Sequence, residues 1–250
     1  TPWAIGISAG VHDYPYTYQS YHRRNISGGA SVARALKFNS RVGVTTNILH
    51  SKKWKIKNDT LADSGFYSQD VLAGISFVTD HRGGRFNPRS GWKGNAALLT
   101  NYPFAISASK YAQLSAGLRV YVPGFFASDR FASRSRAILR DSEAGDFNSL
   151  YFGGSEDIRG FPSDFFGTAD YNINNALLFS GEYRFAIWES PRITIPRISS
   201  LHHSLNRFYY RFDGALIIDG GYMWELIDRP LHDHHQTALG LGAACASSTL

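Results

Sequence analysis

The sequence predicts an all-β protein, and within that class a transmembrane antiparallel β-barrel. Three observations carry this prediction. Apolar residues alternate with small or polar ones at period two along much of the 250 residues, the signature of strands with two unlike faces. Charged residues make up 18% and aromatics 14%. The first is below the ~25% of soluble domains, and the second excludes a disordered chain, which is aromatic-poor and charge-rich. No stretch reaches the ~18 consecutive apolar residues of a membrane helix. The longest uncharged runs, Asn95–Ser109 and Gln236–Leu250, are laced with Asn, Ser, Thr, Gly or Pro. A chain of this kind enters a membrane only as a closed barrel, because lipid satisfies no backbone polar group. A single cysteine, Cys245, excludes an intramolecular disulfide framework and any CxxC-type zinc site.

The elements follow in order. Trp3, Ile5, Ile7, Ala9 and Val11 share one face, with Ala4, Gly6, Ser8 and Gly10 on the other. Ile26–Leu36 alternates poorly. Val42, Val44, Thr46 and Ile48 form the next apolar face, then Val71, Ala73, Ile75 and Phe77. Trp92–Thr100 is again irregular. Leu114, Ala116, Leu118, Val120 and Val122 alternate with Ser115, Gly117, Arg119 and Tyr121. Arg134–Leu139 is a poor match. Leu177, Phe179, Tyr183, Phe185 and Ile187 oppose Ser180, Glu182 and Arg184. Phe208, Tyr210, Phe212, Leu216, Ile218, Tyr222 and Trp224 oppose Arg211, Asp213 and Asp219. Thr237, Leu239, Leu241 and Ala243 make the last set.

Alternation alone does not say which face points inward. Strands of ~9–11 residues suit a tilted bilayer crossing, whereas globular strands average ~5–6. The non-apolar faces are rich in Gly and Ser, as a lumen is, and Trp3, Trp54, Trp92, Tyr121, Trp188, Phe208, Tyr222 and Trp224 lie near strand ends, as interfacial girdles do. Lys37–Ser40 and Asn87–Gly91 read as short turns. Ser51–Gln69, Ser128–Phe147, Gly153–Asn175 and Glu189–Asn206 read as long polar connections, so short turns on one side and long loops on the other are expected. No helical periodicity and no repeat at 20–50 residues occurs.

Four motifs point further. Phe77-Val-Thr-Asp-His-Arg82 is followed by Phe86-Asn-Pro-Arg-Ser-Gly-Trp92. Gly153-Gly-Ser-Glu-Asp-Ile-Arg-Gly-Phe161 is followed by Ser180-Gly-Glu-Tyr-Arg-Phe185 and then by Ala215-Leu-Ile-Ile-Asp-Gly-Gly-Tyr-Met-Trp224. In this order, over roughly Gln69 to Gly242, they resemble the BamA-type outer-membrane protein assembly and translocation superfamily, the bacterial surface antigen barrels. The resemblance implies a barrel of about sixteen strands when complete, of which ~10–11 are counted here. It implies that residues 1–250 are the C-terminal barrel domain, incomplete at both ends, without the periplasmic POTRA modules of that family. Thr1-Pro2-Trp3 has no signal-peptide character.

For the site, the resemblance implies that Arg159 reaches Asp219, with Glu182 nearby, so that Arg159, Gly160 and Phe161 anchor a loop inside the lumen. The residue types fit. A guanidinium stays charged and offers a planar fork to carboxylates, and both acids lie on faces opposite the apolar ones. Asp80, Arg82 and Gly91 mark the family's hairpin and read physically as a turn with an Asx-type bond and a left-handed glycine. The function implied is insertion, assembly or translocation of other proteins at an outer membrane, bacterial or of an organelle, without enzymatic chemistry or cofactor. Implied partners are client outer-membrane proteins or a secreted polypeptide, outer-membrane lipids, and periplasmic or lipoprotein accessory subunits.

The remaining residues support rival readings more weakly. Asp228 and His232–His235 could suit zinc or copper, but read better as a solvated connection, as do His202 and His203; no metal site is expected. No GxSxG elbow, P-loop or GxGxxG is present, and no catalytic set emerges. The formal net charge of +6 clusters at Arg23, Arg24, Lys52, Lys53, Lys55 and Lys57, suited to anionic lipid headgroups. Nucleic acid is not an expected partner, because the aromatics lie on the apolar faces and are not interleaved with the basic residues. A secretion pore of the same superfamily, a passive pore or barrel enzyme, and a soluble carbohydrate-binding β-sandwich are the alternatives.

Overall fold

A computed structural model describes residues 2–16, 21–57, 60–61, 66–84, 88–103, 110–141, 150, 152–154, 157–161, 166, 173–189, 210–224 and 235–249, with 14–16, 21–23, 53–57, 60–61, 66–67, 103, 189, 210–211 and 235–249 described by backbone alone. The strands are β1 (Trp3–Tyr16), β2 (Tyr21–Ala35), β3 (Ser40–Lys57), β4 (Thr60–Leu61), β5 (Phe66–Asp80), β6 (Gly91–Pro103), β7 (Tyr111–Pro123), β8 (Arg130–Arg140), β9 (Asn175–Glu189), β10 (Tyr210–Trp224) and β11 (His235–Thr249). They form one 11-stranded sheet in the order β1-β2-β3-β5-β6-β7-β8-β9-β10-β11, with the two-residue β4 against β3. Every pairing is antiparallel and joins neighbours in sequence, except that β3 pairs with β5 past the two-residue β4. This up-and-down meander is the architecture of a membrane barrel, of which the chain forms part.

The two faces of the sheet settle the question of inside and outside. Ile5, Ile7, Val44, Ile48, Ile75, Leu98, Leu118, Phe179, Leu216 and Ile218 are all exposed. A soluble sandwich would pack these side chains against a second sheet; here they form an outward apolar surface of the kind that meets lipid. The buried apolar cluster lies on the other face. It joins Ile138, Ala176, Leu178 and Met223 of the strands to Phe152, Ile158, Phe166 and Ile173 of the β8–β9 connection. The protein's core is therefore a loop against a wall.

Register fixes which inner residues are neighbours. Asp80 faces Lys93, Lys93 faces Arg119, Arg119 faces Arg134, Arg134 faces Ser180 and Ser180 faces Asp219. One row thus crosses six strands on the inner face.

Three sequence expectations change. Ser128–Phe147 is not a long connection: β8 occupies Arg130–Arg140. Its inner face carries Arg130, Arg134, Arg136 and Arg140 and its outer face Ser133 and Ser135, so its apolar alternation is weak, as in β2 and β6. β3 reaches 18 residues, and strands longer than a crossing needs shorten the connection read at Ser51–Gln69. Last, antiparallel order places the β9–β10 connection (190–209) at the same end as the short Leu36–Asn39 turn, so long connections occur at both ends. The whole of that connection, with His202, His203 and Phe208, and also Asp228 and His232–His234 lie outside the described residues.

Candidate functional site: a loop held on the inner wall

The described part of the β8–β9 connection lies on the inner face because its apolar side chains have somewhere to go. Phe152 and Phe166 exchange backbone hydrogen bonds of 3.0 and 3.1 Å in an isolated antiparallel bridge. Gly154 N donates to Phe161 O at 2.7 Å, closing the segment that carries Ile158, Arg159 and Gly160. Ile158 is fully buried. A Cβ on Gly221 of β10 would lie 2.7 Å from Ile158 Cδ1 and 3.0 Å from Leu178 Cδ2, so this glycine is the hollow into which Ile158 seats. The Phe161 ring packs against Phe166, centroids 4.9 Å apart, and joins the buried cluster from its edge.

Docking Ile158 brings Arg159 onto the wall. Its Nε and Nη2 donate to Asp219 Oδ2 and Oδ1, each at 2.8 Å, and its backbone N–H donates to Asp219 Oδ2 at 2.9 Å. Nη1 pairs with Glu182, and Nη2 also donates to Ser180 Oγ at 2.6 Å. Asp219 is 1% exposed and the Arg159 side chain 26%. A two-pronged guanidinium–carboxylate pair is the strong and directional form of this interaction. The bonds to Asp219 and Glu182 hold the guanidinium protonated still more firmly than usual. Glu182 is shared: its second oxygen pairs with Arg184. Gly160 has φ +92° with open space around it, so it is required for backbone conformation and not for room.

The structure thus brings Arg159, Glu182 and Asp219 into one network, with Gly160 and Phe161 beside it. Asp80, Arg82 and Gly91 form a separate group at the β5–β6 turn. Asp80 Oδ1 accepts the Arg82 backbone N–H at 3.2 Å and the Arg82 side chain folds back on it, with Nη2 donating to Oδ2 at 2.6 Å. That contact keeps Arg82 more firmly protonated than usual. Gly91 has φ +99°, and any Cβ there would lie 2.1 Å from His81 O.

Sequence reasoning missed four participants. Ser180 shares the inward parity of Glu182, two residues on, and that parity was the available signal. Ile158 is the one apolar residue between Gly153 and Gly160. Asp157 pairs with Arg136 at 2.9 Å, and nothing in the sequence announced it. Tyr121, read as part of an aromatic girdle, has inward parity and lines a cavity with Arg119; the girdle at that end is made by Trp3, Trp92, Trp188 and Phe212, all exposed. Among the described residues no group of three or more His, Cys, Asp or Glu is placed to hold a metal ion.

A membrane β-barrel whose long loop is bonded to its own inner wall is the class that this fold and site define. The chain belongs to the Omp85 superfamily, whose domain model matches residues 1–202. Among solved structures it is similar to BamA from Haemophilus ducreyi lacking POTRA domains 1–3, at 13% identity and a TM-score of 0.61, over 99% of this chain and 59% of that one. It is also similar to CdiB from Escherichia coli, at 12% identity and a TM-score of 0.58, over 99% of this chain and 44% of that one. The chain thus spans about half the length of these two proteins. No curated protein matches the sequence.

Proposed function

We propose that this chain is the barrel part of a longer bacterial outer-membrane protein that inserts or translocates other polypeptides without covalent chemistry, and that the Arg159-Gly160-Phe161 segment anchors a lumen loop needed for that work. Membership of the Omp85 superfamily supports the class. The observation that carries the reading is the bonding of Arg159 to Asp219, Glu182 and Ser180 across two strands. A loop bonded to two neighbouring strands ties their spacing to its own position. Unpaired strand edges template new strand pairing, so a barrel of controlled shape can offer a seam to client strands. On this reading the seam is made by strands beyond this chain, the partners are client barrels, outer-membrane lipids and accessory subunits, and no cofactor is used.

The test is Arg159→Ala in the full-length protein. Removing one partner of such a pair costs about 3–5 kcal/mol, because the acids are left behind. Client insertion should fall and the folded form should lose its resistance to heating in detergent. Unchanged insertion and heat resistance would refute the anchor. A pore that secretes one partner polypeptide is the second reading, favoured by the near-equal fold similarity to CdiB and BamA. Depleting the protein separates the two: loss of many outer-membrane barrels supports insertion, and loss of a single secreted polypeptide supports the pore.

A further inference from the structure

Beside the latch lies a cavity of about 210 Å³ lined by Arg119, Tyr121, Arg134, Arg159, Glu182 and Arg184, among others. Four guanidiniums and one carboxylate face it. Asp219, bonded to Arg159, adds a second negative charge behind the wall, so the lining keeps two positive charges in excess.

The register shows that this excess is built into the sheet. Lys93, Arg119 and Arg134 stand directly opposite one another on three successive strands of the inner face. Like charges at such positions destabilise a sheet. The acids of that row stand at its two ends, and each is engaged by an arginine from a connection: Asp80 by Arg82 and Asp219 by Arg159. The Arg134 side chain also donates to the Asp157 carbonyl at 3.3 Å, while the Asp157 carboxylate pairs with Arg136. Thus the loop's own carboxylate is directed to the next arginine along β8.

We infer that this cavity is a binding site for a phosphate-class dianion, held between β7, β8, β9 and the docked loop. A phosphate monoester carries about −1.5 to −2 charges near neutral pH, which matches the excess. Its oxygens suit the planar forks of Arg119 and Arg134, and the Tyr121 hydroxyl adds a neutral donor. Two sources supply that chemistry, the phosphate headgroup of a lipid and free phosphate in the aqueous lumen. The assignment is independent of what the barrel does to other proteins.

Calorimetric titration of the full-length protein in phosphate-free detergent tests it, with inorganic phosphate and dihexanoyl phosphatidic acid as separate probes. One-site binding of either is the expected result. Arg119→Gln and Arg134→Gln should each weaken it roughly tenfold, the scale of a lost hydrogen bond to a charged group. Arg119→Lys, which keeps the charge, should weaken it less. Slower migration on heating confirms that each variant is folded. Tighter binding of the lipid assigns a headgroup, and tighter binding of inorganic phosphate assigns the lumen solute. Absence of heat with both probes overturns the site, as does an affinity indifferent to both glutamine substitutions in folded protein. Tetraglutamate binding more tightly than phosphate would replace the phosphate class with an acidic polypeptide.

Discussion

A lysine at position 159 would keep the charge and lose most of the latch. Its ammonium is a compact point charge and cannot span Asp219, Ser180 and Glu182 together, as the guanidinium does. Arg159→Lys should therefore cost about 1.5–3 kcal/mol of loop docking, the worth of a hydrogen bond to a charged group. Amide exchange at residues 157–161 would report this as faster opening, and exchange as slow as in the parent would refute it. Gly160 makes a different prediction. Its φ of +92° is open to any side chain in space but not in backbone conformation, so Gly160→Val should cost about 1–3 kcal/mol and Gly160→Asn less, because Asn tolerates positive φ better. Asp157 adds a pH dependence. Burial pushes its carboxyl up, against the pull of Arg136 and Arg134. A group whose pKa is raised on docking penalises the docked loop when ionised, and the penalty vanishes as pH falls through the raised value. Loop protection, corrected for intrinsic exchange, should rise from about pH 7 to about pH 4, and Asp157→Asn should flatten that slope. Equal slopes in the two proteins would remove Asp157 from the account.

The loop and β10 meet through Ile158 and Gly221, and their fit predicts a coupling. Gly221→Ala would place a methyl 2.7 Å from Ile158 Cδ1, an overpacking worth about 1–3 kcal/mol. Ile158→Val alone removes that Cδ1 and should cost about 0.5–1.5 kcal/mol. Because the two changes compensate in volume, the double variant should be more stable than the sum of the singles; strict additivity would show that Ile158 does not seat there. The elements themselves were readable from the sequence to unequal degrees. β1, β5, β7, β9 and β10 announced themselves, because lipid requires apolar residues on alternate positions and the lumen does not. β2 was faint, since Gly28, Gly29, Ala30 and Ser31 leave both faces small. β8 was fainter still, Arg134–Leu139 standing as a poor strand inside a stretch that reads as a connection, because its inner face carries arginines and part of its outer face is serine, a pattern that looks solvated when no neighbouring strand is in view. At the site, Arg159, Glu182 and Asp219 could be found through their motifs. Ser180 and Tyr121 had only the parity they share with Glu182 and Arg119 to mark them, and the partners they meet on other strands come from register.

Across the whole molecule the two faces of the sheet have exchanged the roles they hold in a soluble β-protein. The exposed set is apolar, and the buried set joins a loop cluster to polar groups such as Asp219, Ser180 and Asn101. Stability should therefore depend on the solvent outside the barrel as well as on contacts within it. Leu216 and Ile217 are adjacent near the middle of β10 and lie on opposite faces of the sheet. Leu216 is 57% exposed on the outer face, while Ile217 faces inward opposite Glu182. An arginine at 216 would meet hydrocarbon near the bilayer midplane, at a cost of about 2–4 kcal/mol. The same arginine at 217 would meet the lumen beside a carboxylate, at a cost nearer to zero. Urea titration of the full-length protein in lipid vesicles should show Leu216→Arg far less stable than Ile217→Arg. In detergent, whose apolar layer deforms around a charge more readily than a bilayer, the gap should narrow. The opposite ranking in vesicles would mean that Leu216 faces water and Ile217 the apolar phase, and the barrel would have to be turned inside out.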